Sequence, residues 1–179
     1  MFYVSEPMTT PPETFKTPLQ EKVYETLAAL SMPYYRVDND EAITMEDCVA
    51  IDAALDVKVV KSLLLTNRQQ TRFYLFVTPG DKPFRAKDFG AAMEVSRVSF
   101  APAERLNELI GTTVGAVTVF GTLLDDQDRI EVVIDEDVLS EEWYGCTDGT
   151  TTGYMKVKTE DVLKKLLPHV KHTYRTIRV

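Results

Sequence analysis

Two apolar segments joined by a short polar stretch constrain the fold of this chain more than any other feature. The first runs from Val59 to Leu65, the second from Arg72 to Val77, and Asn67-Arg68-Gln69-Gln70 lies between them. Both segments are short, contain many branched and aromatic residues, and are bounded by turn-forming residues, which is typical of strands. We therefore predict a β-hairpin over residues 59 to 77.

Lys61 interrupts the first strand of this hairpin. Side chains alternate between the two faces of a strand, so Lys61 shares a face with Val59, Leu63 and Leu65. An unpaired ammonium buried there would cost roughly several kcal/mol. Two explanations are open: the lysine lies at a strand end and its amine reaches solvent, or it points into a pocket that takes an anionic or carbonyl ligand.

Other elements surround the hairpin. Thr17 and Pro18 predict the start of a helix that ends near Leu30. Further predicted elements are strands at 33–37, 154–157 and 172–179, helices at 44–55, 86–93, 103–110 and 159–167, and a second hairpin of 117–123 with 130–134. Because strands and helices mix without strict alternation, we expect an α+β fold with a mixed, largely antiparallel sheet and helices packed outside it.

The chain has 179 residues, of which 44% are hydrophobic, and is expected to form one domain with a substantial core. Residues 1–16 contain three prolines among threonines and acids, which predicts a flexible lead-in to a single domain at 17–179. No apolar run reaches about 18 residues, and the amino terminus lacks the order of a secretory signal. We therefore expect a cytoplasmic protein without a membrane partner.

The formal net charge of −8 predicts repulsion from polyanions and does not favour a DNA-binding function. An RNA partner would need a local basic patch. Candidate residues for such a patch are Lys58, Lys61, Arg68, Arg72, Lys82, Arg85, Lys87, Lys164, Lys165, Lys171, Arg175 and Arg178. From the sequence alone we expect most of them to be ordinary solvated surface.

No motif predicts a cofactor or a metal. Cys48 and Cys146 are too few for a disulfide framework and lack the paired spacing of a zinc site, so we expect reduced thiols. The aspartates within 125–128 fit a charged turn. His169 and His172 are expected to decorate a helix end rather than to bind a metal.

Four segments together resemble the YbaK and prolyl-tRNA synthetase-associated editing domains, and within them the free-standing PrdX, or ProXp-ala, type. The segments are Lys61-Ser62-Leu63-Leu64-Leu65-Thr66-Asn67-Arg68-Gln69-Gln70-Thr71, Phe73-Tyr74-Leu75, Arg97-Val98-Ser99-Phe100-Ala101 and Gly111 to Val119. The resemblance extends from about residue 18 to the end of the chain. It implies a mixed sheet curled into a partial barrel with surrounding helices, in agreement with the hairpins predicted above.

Members of that family hydrolyse mischarged aminoacyl-tRNA in trans, chiefly alanyl-tRNA(Pro). A synthetase pocket sized for proline excludes a smaller residue by only about 1 to 3 kcal/mol, so a second sieve must correct the error. The resemblance implies an aminoacyl-tRNA hydrolase that binds the acceptor end of tRNA(Pro) carrying a small amino acid, with prolyl-tRNA synthetase as a further candidate partner. Given the acidic chain, we expect few phosphate contacts and a modest dependence of binding on salt.

The resemblance also implies a site built from three segments, without a metal. Lys61 matches the family's functional lysine, which orients the terminal adenosine and the ester and is not a nucleophile. Gly111 and Gly115 match a glycine loop whose backbone N–H groups approach the substrate carbonyl. Val114 stands where the family usually has proline. The alternative for the two glycines is a helix stop at Gly111 and a turn at Gly115.

The third segment is the loop from Gly145 to Thr152, which departs from the family pattern. By resemblance, Cys146, Thr147, Thr151 and Thr152 are expected to contact the substrate. Thr147 replaces the family histidine and Thr151 the family asparagine, which leaves the identity of the amino acid open. Cys146 is expected to line the pocket as a thiol, because no base adjoins it in sequence to make it a nucleophile.

Two other functions stay open on sequence alone. The departures at Val114, Thr147 and Thr151 fit a non-catalytic module that binds aminoacyl-tRNA or a synthetase through a decayed editing site. A hydrolase of small amino-acid esters or amides unrelated to RNA would fit the acidic charge, but the sequence shows no nucleophile and base pair for it. If the site is catalytic, Lys61 and Gly115 should converge on one cleft.

Overall fold

The computed structural model describes residues 1–179, which form eight strands and the helices around them. The strands are β1 (Tyr34–Asp38), β2 (Val60–Asn67), β3 (Phe73–Pro79), β4 (Val98–Phe100), β5 (Ile130–Asp135), β6 (Trp143–Thr147), β7 (Gly153–Lys158) and β8 (Tyr174–Ile177). The α-helices are α1 (Pro18–Ala29), α2 (Val49–Leu55), α3 (Ala86–Met93), α4 (Ala103–Ile110), α5 (Glu136–Leu139), α6 (Thr159–Asp161) and α7 (Leu167–His169). A 3-10 helix spans Val119–Leu124, and a π-helical turn, Val162–Leu166, joins α6 to α7.

The strands form two sheets that meet at one point. One sheet is antiparallel with the order β1-β7-β6, and the other has the order β4-β2-β3-β5-β8. In the second sheet β5 runs parallel to both β3 and β8. A parallel bridge between Val59 and Gly145 connects the two sheets. This arrangement confirms the predicted α+β fold with a mixed, curled sheet surrounded by helices, and the sheet does not close into a barrel.

The hairpin predicted over residues 59 to 77 is confirmed. β2 and β3 pair antiparallel, from Val60 opposite Pro79 to Thr66 opposite Phe73. Asn67 organises the turn because its side-chain oxygen accepts the backbone N–H of residues 71 and 72 at 2.9 and 3.1 Å. The hairpin is central to the core, since β3 is buried on both faces from Phe73 to Val77.

The second predicted hairpin is wrong. Residues 119–124 form the 3-10 helix, which Thr118 caps by accepting the N–H of Phe120 at 3.3 Å. β5 instead lies between β3 and β8 and is parallel to both. The apolar residues of 117–124 pack in the core, and a short, mostly apolar run has the same composition in a buried helix as in a strand.

Two other local predictions need correction. The segment before Gly153 contains β6, which the sequence did not predict and which pairs with β7. The helix predicted from Thr44 begins only at Val49. Thr44 and Asp47 still exchange hydrogen bonds, at 3.1 Å to the Asp47 carboxylate and 3.4 Å to the Thr44 hydroxyl, but they stabilise a turn ahead of α2.

The segment predicted to be a flexible lead-in lies beside β1. Met8 and Arg36 exchange two backbone hydrogen bonds of 2.8 Å each, and the N–H of Ser5 donates to the carbonyl of Asp38 at 2.8 Å. The flexibility of residues 1–16 and the single domain at 17–179 stay predictions. None of the helices combines the length and the apolar character that crossing a bilayer requires.

Candidate substrate cavity

A cavity of about 310 Å³ lies where the two sheets separate. β2 contacts β6 at the Val59–Gly145 bridge and pairs with β4 only from Leu65 onward. Between those points β2 has a strand neighbour on one side alone, so the other side opens into the cavity. The lining is mostly apolar and comprises Ile43, Thr44, Met45, Cys48, Val60, Lys61, Ser62, Leu63, Leu64, Phe100, Ala101, Leu106, Val114, Gly115, Val117, Cys146, Thr147 and Tyr154.

The open side of β2 presents backbone groups to this cavity. The carbonyl of Leu64 accepts the N–H of Ala101 at 2.8 Å. On the opposite side, toward β3, the N–H of Asn67 donates to the carbonyl of Arg72 at 3.3 Å. Backbone groups of successive residues point to opposite sides of an antiparallel strand, so Ser62 directs its N–H and C=O to the same side as Leu64. There the strand has no partner, and the cavity therefore offers a backbone donor and acceptor to a ligand.

Lys61 lines the cavity on this strand, as the second explanation for its position requires. Its side chain is half-buried, and its Nζ donates a hydrogen bond to the backbone carbonyl of Lys82 rather than to a carboxylate. Burial lowers the pKa of Lys61, and the nearby charge of Asp81 opposes that effect. The result is an ammonium with unused donors at the edge of an apolar cavity, which suits a polar or anionic ligand group.

The two glycines of the predicted loop occupy different places. Gly115 lines the cavity with a φ of 91°. A Cβ at that position would lie 3.1 Å from the Cα of Ile43, so the close approach of two loops requires glycine there. Gly111 ends α4 with a φ of 65° and does not line the cavity.

Cys146 and Thr147, at the end of β6, also line the cavity. Burial raises the pKa of the Cys146 thiol to about 12, so this group is a neutral thiol near pH 7. The Thr147 hydroxyl donates to the carbonyl of Thr150 and accepts the N–H of Gly149 at 3.2 Å. Its hydrogen-bonding capacity is thus used inside its own loop.

Thr151 and Thr152 lie outside the cavity lining. The carbonyl of Thr151 accepts the N–H of Ala42 at 2.8 Å, and the carbonyl of Thr152 accepts the N–H of Asn39 at 3.1 Å. Both residues therefore fasten their loop to the segment that leads into the cavity wall at Ile43. Of the residues predicted for the site, the structure brings together Lys61, Gly115, Cys146 and Thr147.

Two buried polar side chains connect the loops around the cavity. The carboxyl group of Asp148 accepts hydrogen bonds from Gln20 Nε2 at 2.9 Å, from the Tyr24 hydroxyl at 2.9 Å and from the Thr150 hydroxyl at 2.7 Å. Burial raises the pKa of Asp148, while these hydrogen bonds lower it. The Thr112 hydroxyl lies 3.0 Å from the carbonyl of residue 116 and 3.2 Å from that of residue 149, and so bridges the two loops.

Several lining residues were not predicted from the sequence. Cys48 and Tyr154 lie side by side in the cavity wall, with 3.7 Å between the Cys48 Sγ and the Tyr154 hydroxyl, and burial raises the pKa of both groups. Phe100 is 61% exposed at the rim and packs against Phe84, with 5.6 Å between ring centroids. The strand at 154–157 was predicted, but no pattern in the sequence showed that Tyr154 faces the same space as Lys61.

His172 belongs to a separate buried cluster. It follows α7, at the helix end where it was predicted, but its side chain is buried: Nε2 lies 2.8 Å from Asp125 Oδ2 and Nδ1 lies 2.7 Å from the carbonyl of Val170. Asp125, Asp128 and His172 place one possible metal ligand each within 4.8 Å of one another. The Asp125 carboxylate also accepts the N–H groups of residues 129 and 130. The cluster therefore stabilises the loop between the 3-10 helix and β5.

The comparison with protein families gives one match over the cavity-forming part of the chain. The model of the aminoacyl-tRNA editing domain family matches residues 40–165, a span that includes every cavity-lining residue. Among curated proteins, the prolyl-tRNA editing protein ProX of Acetoanaerobium sticklandii is 26% identical over 160 residues, which cover 89% of this chain and 97% of that protein.

Solved structures share the fold. The structure of the hypothetical protein APE2540 has a TM-score of 0.67 and 20% identity. The alignment covers 87% of this chain and 98% of that protein's chain. A protein described as a candidate trans-editing enzyme for prolyl tRNA synthetase has a TM-score of 0.65 and 17% identity. The alignment covers 92% of this chain and 99% of that protein's chain. At these identities the two structures support the architecture of the curled sheet and its helices.

Proposed function

Because this chain belongs to the aminoacyl-tRNA editing domain family and is therefore an aminoacyl-tRNA hydrolase, we propose that it acts in trans, in the cytoplasm, on mischarged tRNA(Pro) and removes alanine. The similarity to a prolyl-tRNA editing protein along 97% of that protein supports tRNA(Pro) as the substrate. The same similarity makes prolyl-tRNA synthetase a candidate partner. The observation that carries the proposal is the single cavity lined by both Lys61 and Gly115.

The chemistry of the cavity supports a small, apolar amino acid. Most of its lining is hydrophobic, and the Thr147 hydroxyl is engaged within its own loop. Against the apolar part of this wall, a side-chain hydroxyl would lose its hydrogen bonds to water without replacing them. Alanine is thus favoured over serine, although a methyl group by itself provides only about 1 to 3 kcal/mol of discrimination.

Lys61 supplies the positive charge in this mechanism. Its ammonium orients the terminal adenosine and the ester and stabilises the negative charge that develops on the carbonyl oxygen. The N–H of Gly115 approaches the same group, because no side chain blocks that part of the loop. Both contributions depend on the cavity excluding water, which strengthens electrostatic interactions.

No side chain in the lining is suited to act as a general base. Burial raises the pKa of Cys48, of Cys146 and of Tyr154, so all three stay protonated at neutral pH. Hydrolysis then relies on positioning, with the free ribose hydroxyl of the terminal adenosine activating water. The protein would hold that hydroxyl, the ester and the water together.

The direct test is deacylation of tRNA(Pro) charged with alanine, cysteine, serine or proline, by the wild-type chain and by Lys61→Ala. We expect alanine to be released fastest and the variant to lose about 100-fold or more in kcat, the size of effect seen when one charge-stabilising donor is removed. Lys164→Ala is the matched control, because Lys164 is an exposed lysine paired with Glu160 at 2.7 Å. Wild-type turnover by Lys61→Ala would exclude this mechanism.

The alternative is a binding module with a decayed site, and two observations favour it. The hydroxyl of Thr147 is bonded within its loop, and Thr151 lies outside the cavity, so neither offers the group that the family residue would supply. Such a module would bind charged tRNA or the synthetase without releasing the amino acid. Saturable binding of alanyl-tRNA(Pro) with its ester intact would distinguish it from the hydrolase.

A further inference from the structure

A cluster of two aromatic and two basic side chains lies on one face of the three-stranded sheet. Tyr35 pairs with Lys156 across β1 and β7, and Trp143 pairs with Lys158 across β6 and β7. The Nζ of Lys156 lies 4.8 Å from the centroid of the Trp143 ring and 5.4 Å from that of Tyr35, and the Nζ of Lys158 lies 4.2 Å from Trp143. We call these four residues the Trp143 platform.

The platform is the part of this sheet face that α2 leaves uncovered. Farther along the same face, Val37 and Tyr154 are buried against Ile51 and Leu55 of α2. At the platform, Tyr35 is 41% exposed, and the other three side chains are half-buried. The rings of Tyr35 and Trp143 contact edge to face, with 5.9 Å between centroids, so the surface is preorganised.

The charge of the platform differs from that of the whole chain, whose formal net charge is −8. Lys158 pairs with Glu142 at 2.7 Å, whereas Lys156 forms no salt bridge and lies over the two rings. An ammonium that lies over aromatic rings keeps its charge and its hydrogen-bond donors for a ligand. Cations beside stacking surfaces are the combination that binds single-stranded nucleic acid.

A groove of about 250 Å³ borders both the platform and the substrate cavity. Trp143 lines one part of it, and Val60, which also lines the substrate cavity, lines another. Lys82 lines the groove as well, and its carbonyl accepts the hydrogen bond from Lys61 Nζ. That hydrogen bond connects the groove to the proposed ester-orienting lysine.

The groove itself is not a phosphate site. Its lining includes the carboxylates of Asp81, Asp137 and Glu141, and Lys82 is paired with Asp135 and Asp137 at 2.8 and 2.7 Å. Carboxylates repel phosphate groups, so a ligand would place its riboses and bases in the groove. Its phosphates would lie at the lysine end, beside residues 156 and 158.

We propose that the Trp143 platform binds the single-stranded 3′ end of the RNA, immediately before the esterified adenosine. A base stacks on the Trp143 ring, which Tyr35 holds edge to face, and Lys156 and Lys158 contact the backbone phosphates on either side of that base. This inference rests on the proposed function, because it assigns the substrate of that cavity a second contact. It also explains how an acidic protein holds RNA with few charges.

Trp143 is the only tryptophan in the chain, so the unmodified protein reports on its own platform. Titration with a short single-stranded oligoribonucleotide ending in CCA should change the tryptophan fluorescence in a saturable way. In the variant Lys156→Gln/Lys158→Gln, the affinity should fall and the slope of log K against log salt should become shallower by about 1.4, or roughly 0.7 for each lysine. The control is Lys164→Gln/Lys165→Gln, which removes an exposed and a half-buried lysine paired with Glu160 and Asp161.

The kinetic test compares two alanyl esters, the full alanyl-tRNA(Pro) and alanyl-adenosine. Trp143→Ala should lower the ratio of their kcat/KM values by about 5- to 150-fold, through KM for the tRNA, because one stacked base is lost. Trp143→Phe keeps an aromatic ring and should restore most of that ratio. Lys61→Ala, in contrast, should lower the rates for both esters.

The outcomes separate this inference from the proposed function. If the wild-type chain hydrolyses neither ester, the proposed function fails, and the fluorescence titration still tests the platform. Hydrolysis without any fluorescence change on adding the oligoribonucleotide would overturn the platform, as would equal losses on both esters in Trp143→Ala. A fluorescence change caused only by prolyl-tRNA synthetase would replace the RNA with a protein partner.

Discussion

The two walls of the substrate cavity are held in place by different interactions. The strand wall, residues 60–64 of β2, is positioned by its backbone pairing with β3. The loop wall consists of Gly115 and of Cys146 and Thr147 where β6 ends, and the two loops that meet there are held by a few buried polar side chains, chiefly Thr112 and Asp148. A backbone ladder tolerates changes of side chain, whereas a loop held by side-chain hydrogen bonds depends on each of them.

This contrast predicts where substitutions separate activity from stability. Lys61 projects from the strand wall, so its replacement should remove activity and leave the fold intact. Residues behind the loop wall should affect both properties together. The following experiments test that division, starting with the largest expected change in stability.

Asp148→Ala should cause the largest loss, about 2 to 4 kcal/mol in the free energy of unfolding. It removes the acceptor for Gln20, Tyr24 and Thr150 and leaves their buried polar groups without partners. Urea denaturation measures the loss, and deacylation should fall with it because the loop carrying Thr147 loses its anchor to α1. Asp126→Ala, at an exposed aspartate, is the control. Equal stability of the two variants would contradict the assigned role of the Asp148 network.

Gly115→Ala should cost about 1 to 2 kcal/mol and reduce activity more than this loss of stability explains. Its φ of 91° is unfavourable for a residue with a Cβ, and the new atom would lie 3.1 Å from the Cα of Ile43. The loop would have to move away from the substrate. Gly90→Ala is the control, since Gly90 lies in α3, away from the cavity. Wild-type kcat in a stable Gly115→Ala variant would show that the loop backbone does not contact the substrate.

The smallest expected effect is a shift in the pH dependence of the deacylation rate, which depends on Lys61 in the strand wall. Burial lowers the pKa of Lys61 below its ordinary value of 10.5, so the ammonium should be lost, and activity with it, at a pH below that value. Asp81 raises this pKa, and Asp81→Asn should therefore shift the alkaline limb of the rate profile to still lower pH. Rates are measured above the uncatalysed hydrolysis of the ester, with Asp126→Asn as the control. A limb that does not move in Asp81→Asn would mean that another group controls it.

The same lysine should contribute to the pH dependence of stability with a defined sign. Between its lowered native pKa and 10.5, the unfolded chain binds a proton at Lys61 that the native chain has released. Stability therefore rises with pH across that window, and this contribution should be absent from Lys61→Ala.

The β2–β3 hairpin was predicted correctly because its sequence signals are local. The β2–β3 hairpin was recognisable because both strands are apolar and the Asn67 turn is polar, and Lys61 was recognisable as a charge that breaks a buried pattern. The resemblance to editing domains placed Gly115, Cys146 and Thr147, which line the cavity with Lys61.

The incorrect and missing predictions share a different cause, since each depends on contacts between distant parts of the chain. Residues 119–124 were assigned to a hairpin because burial makes a strand and a 3-10 helix look alike in sequence. The burial of His172 was not predicted, because nothing near it in sequence reveals its pairing with Asp125. The Trp143 platform is assembled from β1, β6 and β7, whose register the sequence does not disclose.

By itself, the sequence determined that this chain builds a mixed sheet around a hairpin, and that one lysine of the hairpin needs a partner. Both features are visible in the sequence because hydrophobic periodicity and an isolated charge can be recognised within a few consecutive residues. Only the tertiary structure decided that β2 separates from β6 after Val59, that the separation forms a cavity, and that Tyr154 and Cys48 share it with Lys61. Those features follow from strand order and register, which are set by packing summed over the whole core rather than by any single segment.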